Sequence, residues 1–230
     1  MYDLITFQAG FGNVSYSPFC VKAVWMLNHA GVDWQREDCL DPRKFAHGKL
    51  PVLRAHGNLI HDSDDIRLFL EREGADFWGE TPMRDQAMGR ALIRMAEDHL
   101  YFHVVMDRWM NDDVWPHIKA AYFTGIPKLI RGPVTNGLRK ALRKGLHAQG
   151  ILRLSDDERL RRLDQDLDAI RTLLGQHAFI LSDTPTLPDF SVAAVLSNIA
   201  ASPVATPTSL RVADDPVLMG YVARMKEMFD

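Results

Sequence analysis

The sequence has few of the features that mark secreted, membrane-spanning or nucleic-acid-binding proteins. Its 230 residues include only two cysteines, Cys20 and Cys39, too few for a disulfide framework and without zinc-site spacing. No apolar run is long enough to span a bilayer, and the N-terminus has no signal-peptide pattern. The formal net charge of −3 argues against binding to nucleic acid. We therefore expect a cytoplasmic protein that holds no metal.

Two kinds of pattern follow one another along the chain and predict two domains. Residues 1–74 alternate short apolar runs with helical patterns, whereas residues 83–230 show helical periodicity throughout. The intervening residues 75–82 contain Gly, Pro and polar side chains, as expected of a linker. The order of the first part, with strand, helix, strand, hairpin and helix, predicts an α/β thioredoxin-like domain. The second part predicts an all-α domain.

The first predicted helix begins at the sequence SPFC, residues 17–20. Ser17 stands at the N-cap position, Pro18 suits the first helical turn, and Gly31 ends the helix. A CxxC motif at this place in a thioredoxin-like domain carries a reactive thiol, because the helix N-terminus lowers its pKa. Here serine holds the outer position, so Ser17 either caps the helix or donates a hydrogen bond to a bound thiolate. Cys20 is interpreted as a buried side chain.

A second informative stretch runs from Gly48 to Ile66. It predicts two short strands joined by a turn at Gly57-Asn58, then a helix from Asp64 to Glu73. Pro51 cannot donate a hydrogen bond within a sheet, so it lies at an edge, at a bulge or in a cis bond. Asp62-Ser63 caps the helix and leaves backbone amides free for a carboxylate. A hairpin and a capped helix without a ligand would give the same pattern.

These two stretches together resemble the N-terminal half of a glutathione S-transferase. The resemblance implies that Pro51 is cis and that the backbone of Leu50 pairs with the cysteinyl part of glutathione. It further implies that Asp62 and Ser63 bind the γ-glutamyl end, and that the hydroxyl of Ser17 stabilises the glutathione thiolate.

The segment around SPFC resembles more closely the branch that contains the failed axon connections, cadmium-responsive and metaxin-like proteins. Asp62 stands where many relatives have Glu, which shortens its reach by one methylene. No tyrosine is placed as in the transferase classes that use one.

The helical half shows several local signals. An apolar stripe recurs every three or four residues, and it consists of Met88, Leu92, Met95, His99, Phe102, Met106 and Trp109. A second, basic helix runs towards His147 and is predicted to break near residues 125–127 and at Gly132-Pro133. Capping boxes are predicted at residues 155–158 and 186–189. The helix that follows the second box, residues 190–201, is apolar nearly all round and should be buried.

Two functions fit these observations. The first is an enzyme of detoxification type that binds glutathione as a substrate and directs its thiolate to a small electrophile. The second is a non-catalytic module that uses the same fold for protein–protein interaction. The resemblance implies a homodimer and an electrophile pocket between the domains, and we expect the pocket to be lined by Tyr101, Phe102, Met106 and Trp109.

Overall fold

The computed structural model describes all residues, 1–230, and begins with a four-stranded mixed sheet and two helices. These elements are β1 (Tyr2–Thr6), α1 (Pro18–His29), β2 (Trp34–Asp38), β3 (Val52–Ala55), β4 (Asn58–His61) and α2 (Ser63–Arg72). The strand order is β2-β1-β3-β4, with β1 parallel to β2 and the other two pairs antiparallel. This arrangement confirms the prediction of a thioredoxin-like domain.

The rest of the chain is helical, as predicted. Its helices are α3 (Met83–Met95), α4 (Tyr101–Met110), α5 (Trp115–Tyr122), α6 (Lys128–Gln149), α7 (Asp156–Leu174), α8 (Leu187–Ala200), α9 (Pro207–Ala213) and α10 (Pro216–Phe229). One π-helical turn, Ala96–Leu100, joins α3 to α4, so the predicted apolar stripe lies on one continuous helix. No helix combines the length and hydropathy needed to cross a bilayer. The limits 1–74 and 83–230 remain a prediction of where the domains divide.

Helix α8 forms the centre of the helical domain and joins it to the sheet domain. Every residue from Leu187 to Ile199 is buried, and α8 packs against α1, α3, α9 and α10. Trp25 of α1 and Phe190 of α8 belong to the same large apolar cluster. The first domain is therefore held on the second by a shared core, which places the start of α1 beside the helical domain.

The start of α8 is organised by the buried carboxylate of Asp189. It accepts hydrogen bonds from the backbone N–H groups of Ile180 and Thr186 at 3.0 and 2.7 Å, and from the hydroxyl of Tyr221 at 2.8 Å. Burial raises the pKa of Asp189, and these hydrogen bonds offset part of that rise. Asp189 ties together α8, α10 and the preceding loop, which agrees with the structural role predicted for it.

Two local predictions were wrong. The hairpin turn consists of His56 and Gly57, both with positive φ, and Asn58 already belongs to β4. Helix α6 does not break at Gly132-Pro133 but continues through Pro133 to Gln149. Although Pro133 supplies no N–H, the hydroxyl of Thr135 donates to the carbonyls of Arg131 and Gly132, at 2.7 and 3.1 Å.

Candidate functional site

Ser17 occupies the N-cap of α1, and its side chain makes no capping hydrogen bond. Its backbone is extended, with φ −102° and ψ 127°, and its carbonyl accepts the first bond of the helix from Val21 at 3.0 Å. No acidic side chain lies in the first turn, so the partial positive charge of the helix N-terminus is not neutralised. Ser17 is half-buried. Its hydroxyl is therefore placed to interact with a bound group at this helix end.

The backbone of Ser17 is supported by a residue that sequence reasoning missed. The buried hydroxyl of Ser15 donates to the carbonyl of Phe7 at 2.8 Å and accepts from the N–H of Ser17 at 3.4 Å. Ser15 thus links the end of β1 to the start of α1. No local pattern predicts this contact, because serine in a loop of Gly, Asn and Ser residues is ordinarily expected to be solvent-exposed.

Cys20 lies one turn into α1 and is fully buried, as expected. Burial raises the pKa of the Cys20 thiol, and hydrogen bonding with Thr6, Ser15, Ser17 and the backbone of Phe7 offsets part of that rise. The thiol therefore stays protonated at neutral pH, which makes Cys20 a poor nucleophile.

Leu50 and Pro51 lie at the start of β3 and are joined by a cis peptide bond, one of the alternatives considered from the sequence. Leu50 is buried, yet neither its N–H nor its carbonyl has a hydrogen-bond partner within the chain. Buried backbone polar groups nearly always find partners, so the N–H and carbonyl of Leu50 are exceptions within this fold.

Asp62 and Ser63 start α2. Asp62 has a positive φ of 76°, and one of its carboxylate oxygens accepts from the N–H of Asp64 at 2.8 Å, which leaves the other oxygen free. Ser63 is buried, and its hydroxyl makes no hydrogen bond within the chain. Non-glycine residues with positive φ are uncommon and concentrate at functional sites.

A cleft of about 160 Å³ opens beside this helix start, between the two domains. It is lined by Asp64, Arg67, Arg90, Ile93, Arg94 and Leu187. Arg67 donates to Asp64 at 3.0 Å and to Glu71 at 2.7 Å. Burial acts to raise the pKa of Asp64, but the hydrogen bond from Arg67 and the charges of Arg67, Lys22 and Arg94 outweigh it and leave that pKa lowered.

The four side chains predicted to line an electrophile pocket lie in or against one small apolar cluster, in which Met106 is buried and Tyr101, Phe102 and Trp109 are partly buried. Tyr101 packs edge-on against Phe19 of the SPFC turn, with ring centroids 4.8 Å apart, and Phe102 packs against Tyr101. Met106 is buried in a small cluster that includes Leu146 and Ile151. Trp109 packs against the rings of Trp115, Tyr122 and Phe123. Of the four, Tyr101 lies against the SPFC turn itself.

A second feature that sequence reasoning missed is the buried guanidinium of Arg108. It forms no ion pair and donates instead to the carbonyl of Tyr16 at 2.5 Å, to the hydroxyl of Tyr122 at 3.0 Å and to Asn198. The carbonyl of Tyr16 and the hydroxyl of Tyr122 accept from the same guanidinium nitrogen of Arg108. Tyr122 therefore lies close to the backbone just before Ser17. The rings of Tyr16 and Tyr122 are in contact, with centroids 4.6 Å apart.

This arrangement leaves the proton of Tyr122 available. Arginine has donors only, so the Tyr122 oxygen must accept from Arg108, and its own O–H makes no other hydrogen bond within the chain. Burial raises the pKa of Tyr122, and the charge of Arg108 partly offsets that rise, so the hydroxyl stays protonated at neutral pH. The O–H of Tyr122 therefore has no acceptor within the chain. No group of three or more His, Cys, Asp or Glu side chains is arranged to hold a metal.

Comparison with protein families shows the superfamily to which this fold belongs. A glutathione S-transferase N-terminal domain model matches residues 18–114, and a glutathione S-transferase C-terminal domain model matches residues 156–224. The chain belongs to the glutathione S-transferase superfamily. The first match runs from α1 through α4, and the second lies within the helical part of the chain, from α7 to α10.

Individual relatives of the chain agree with the family match. The isoprene-epoxide–glutathione S-transferase of Rhodococcus sp. (strain AD45) is 27% identical over 245 residues, and the alignment covers 100% of both proteins. The crystal structure of the β-etherase LigF from Sphingobium sp. strain SYK-6 has a TM-score of 0.68 at 16% identity and covers 99% of this chain and 98% of its own. A glutathione S-transferase of Ceriporiopsis subvermispora, solved in complex with glutathione, has a TM-score of 0.65 at 14% identity and covers 99% and 97%.

Proposed function

We propose that this protein binds glutathione and directs its thiolate to a small electrophile. The observation that carries the proposal is the cis-Pro51 start of β3, where the N–H and carbonyl of Leu50 have no partner within the chain. The Ser63 hydroxyl at the start of α2 also makes no hydrogen bond within the chain, and the Ser17 side chain does not cap α1. A folded chain rarely leaves such groups without partners unless a ligand or water satisfies them. Glutathione, a tripeptide with a thiol and charged ends, matches these groups in kind.

Each group has a role in this proposal. The N–H and carbonyl of Leu50 pair with the cysteinyl backbone in an extended arrangement. Ser63 and the N-terminus of α2 hold the γ-glutamyl carboxylate, since helix starts favour anions. The free oxygen of Asp62 accepts from the γ-glutamyl ammonium. Ser17 then faces the thiol, and its hydroxyl and the end of α1 favour the thiolate.

The alternative is a non-catalytic module for protein–protein interaction. Such a module would have no need for unpaired groups at residues 50 and 63. Retention of the protein on immobilised glutathione, with elution by free glutathione, separates the two functions. Failure to bind at millimolar glutathione would reject the enzyme. The homodimer, the cytoplasmic location and the metaxin-like branch stay predictions.

The first test concerns the γ-glutamyl end. Replacing Asp62 with asparagine should weaken glutathione binding about tenfold. A charge-assisted hydrogen bond contributes roughly 1.5–3 kcal/mol, and the exposure of Asp62 places it at the low end. Asparagine keeps an oxygen for the N-cap and tolerates positive φ, so the fold should be preserved. Isothermal titration calorimetry measures the change.

Asp65→Asn is the matched control, because Asp65 is also an exposed acid in the first turn of α2 and forms no ion pair. We expect it to leave the affinity within a factor of two. Equal affinities for wild type, Asp62→Asn and Asp65→Asn would show that the γ-glutamyl end binds elsewhere.

For the electrophile we propose an epoxide. The relative from Rhodococcus is named for an isoprene epoxide, and Tyr122 offers a free hydroxyl proton beside the predicted thiolate site. In the reaction the sulfur attacks a ring carbon, the carbon–oxygen bond breaks, and the electron pair goes to the oxygen. A hydrogen bond from Tyr122 would stabilise the developing oxygen charge.

Tyr122→Phe should therefore lower turnover of an epoxide such as isoprene monoxide at least tenfold. Conjugation of an aryl chloride, whose leaving group is chloride, should change less than threefold, because no oxygen anion develops on the leaving group. Steady-state kinetics with both substrates give the comparison. An equal loss of turnover with the epoxide and the aryl chloride would contradict this role. It would mean that Tyr122 acts only by packing against Tyr16 and so supporting the backbone near Ser17.

A further inference from the structure

Arg108 of α4 is the one buried cation of the protein that has no counter-charge. It is only 4% exposed, and the terminal nitrogens of its guanidinium donate to four uncharged oxygens. The other buried cation, Lys22, lies 2.7 Å from the carboxylate of Glu97. Buried charges in proteins are normally paired, because taking an unpaired charge out of water is costly. The unpaired guanidinium of Arg108 therefore calls for an explanation.

The groups that surround Arg108 leave its charge without a direct partner. Four titratable side chains lie around it, from the turn before α1, from α4 and from α5, namely Tyr16, Tyr101, Asp107 and Tyr122. Burial raises the pKa of Tyr101 and of Tyr122, so both phenols are uncharged at neutral pH. Burial also raises the pKa of Asp107, which hydrogen-bonds to hydroxyls after α8 and forms no ion pair with Arg108. From α8, Asn198 contributes an uncharged amide.

The charge of Arg108 lies close to Ser17 at the start of α1. Its guanidinium is 2.5 Å from the carbonyl oxygen of Tyr16, and the same peptide unit ends at the nitrogen of Ser17. By the bond lengths of that unit, the charge is no more than about 7 Å from the Cα of Ser17. The N-terminus of α1 adds its own partial positive charge, which no acidic side chain in the first turn neutralises. Two positive contributions therefore meet at Ser17.

We propose that Arg108 supplies the positive charge that favours the thiolate of glutathione bound at Ser17, and that this thiolate is the counter-charge that the guanidinium lacks. The inference rests on the proposed function, because it concerns the same ligand at the same helix start. Arg108 acts across the Tyr16–Ser17 peptide and is therefore a positioning residue. A fixed charge in a buried site stabilises an anion without any reorganisation when the anion forms. Unit charges about 8 Å apart, at the dielectric typical of proteins, shift a pKa by about one unit.

The alternative is that Arg108 only ties together the elements it touches. Its hydrogen bonds join α4 to the turn before α1, to α5 and to α8. Such a tie requires donors but no charge, since a carbonyl or a hydroxyl accepts equally from an uncharged amide. A structural role therefore predicts a loss of stability when Arg108 is replaced, and it predicts no change in the ionisation of a bound thiol.

The experiment measures the pKa of glutathione bound to the full-length protein, from the ultraviolet absorbance of the thiolate as the pH is varied. Arg108→Gln removes the charge and keeps amide donors, and it should raise the pKa of the bound thiol by about one unit. At pH values below the wild-type pKa, conjugation of an aryl chloride should be about tenfold slower in this variant. The two rates should converge as the pH rises above the new pKa.

A second variant neutralises the guanidinium and leaves it in place. The side-chain oxygen of Asn198 accepts from Arg108 at 2.9 Å, so Asn198→Asp puts a carboxylate against the charge and keeps that hydrogen bond. The change costs one donor, to the carbonyl of Ala194, and adds an ion pair. We expect the pKa of the bound thiol to rise by about one unit here too. If Arg108→Gln does not fold, Asn198→Asp alone decides.

Arg139→Gln is the matched control, because it changes the net charge equally and Arg139 also donates to backbone carbonyls of α4, but it is paired with Asp112. It should leave the pKa of the bound thiol unchanged, and an equal rise in this variant would overturn the inference. So would an unshifted pKa in Asn198→Asp while glutathione still binds, and the proposed function would then stand without Arg108. Failure of the wild type to bind glutathione would instead reject the proposed function itself.

Discussion

Replacement of Lys22 with methionine should lower the free energy of unfolding by about 3–5 kcal/mol. The ammonium of Lys22 lies 2.7 Å from the carboxylate of Glu97, and the two side chains are only 1% and 7% exposed. The same carboxylate accepts from the hydroxyl of Ser191 at 2.8 Å. Without Lys22, the carboxylate of Glu97, which lies between α1, α8 and the π-helical turn, would remain buried but lose its main counter-charge. Arg94 lies 3.4 Å from its second oxygen but is largely in solvent. Urea-induced unfolding measures the loss.

The double variant Lys22→Met with Glu97→Met should recover most of the lost free energy of unfolding, because it removes the buried Glu97 carboxylate as well as the Lys22 ammonium. Lys140→Met, at an exposed position of α6, should change stability by no more than about 0.5 kcal/mol. If the double variant is as unstable as the sum of the two single variants, the pair is not coupled. The ion pair would then not be what holds α1 on the helical domain.

The fold could be predicted from the sequence because its main signals are local. Ser17 to Cys20, Pro51 and Asp62-Ser63 each mark the beginning of an element, and caps and turns depend on a few adjacent residues. The box at Ser155 and Glu158 is present, with the Ser155 N–H donating to Glu158 at 2.8 Å. The long helix from Met83 to Met110 follows from periodicity alone.

The contacts that join the domains could not be predicted in the same way. Lys22 and Arg108 each occur within a helical pattern, where a basic residue is normally assigned to the solvent face. Their partners lie far along the chain, since Lys22 pairs with Glu97 and Arg108 donates to Tyr16, Tyr122 and Asn198. Nothing in the local sequence distinguishes these two cations from the exposed lysines of α6.

The two local errors concern places where one residue's propensity did not decide the structure. A Gly-Asn pair and a His-Gly pair are both able to form the turn of a hairpin, and the pairing of Arg54 with Leu59 across the strands selects His56-Gly57. Pro133 would ordinarily break a helix, but α6 continues through it, and the Thr135 hydroxyl donates to the carbonyls of Arg131 and Gly132 in the preceding turn. Cross-strand pairing thus decided the hairpin, whereas side-chain hydrogen bonds within the helix accompany Pro133.

Replacement of Ser17 with alanine should lower turnover about a hundredfold while glutathione affinity changes less than threefold. In the proposed mechanism the Ser17 hydroxyl donates to the thiolate sulfur, and loss of a comparable donor to a developing anion costs about 10²-fold or more. The affinity depends on Leu50 at the cysteinyl backbone and on Asp62 and Ser63 at the γ-glutamyl end, which the change leaves in place. Ser17→Thr, which keeps a hydroxyl, should restore part of the rate.

The pH profile distinguishes this role from a structural one. Ser17→Ala should raise the pKa of bound glutathione by one to two units, since each unit corresponds to about 1.4 kcal/mol of lost preference for the thiolate. The rate of the variant should therefore approach that of the wild type as the pH rises above the new pKa. A uniform loss at every pH, with an unshifted profile, would mean that Ser17 supports the fold and does not contact the sulfur.

The two ends of the SPFC turn make a final pair of variants. Ser17→Cys should gain thiol–disulfide exchange with glutathionylated substrates, because a thiolate at the N-terminus of α1 can attack the mixed disulfide and release the substrate as a thiol. Cys20→Ala should leave turnover within about threefold, since its thiol is buried and its pKa is raised, so the thiolate is scarce at neutral pH. Coupled reductase assays and conjugation kinetics on both variants measure these effects. If Ser17→Ala is silent and Cys20→Ala abolishes turnover, the reacting group is the inner position of the turn, and α1 must open to expose it.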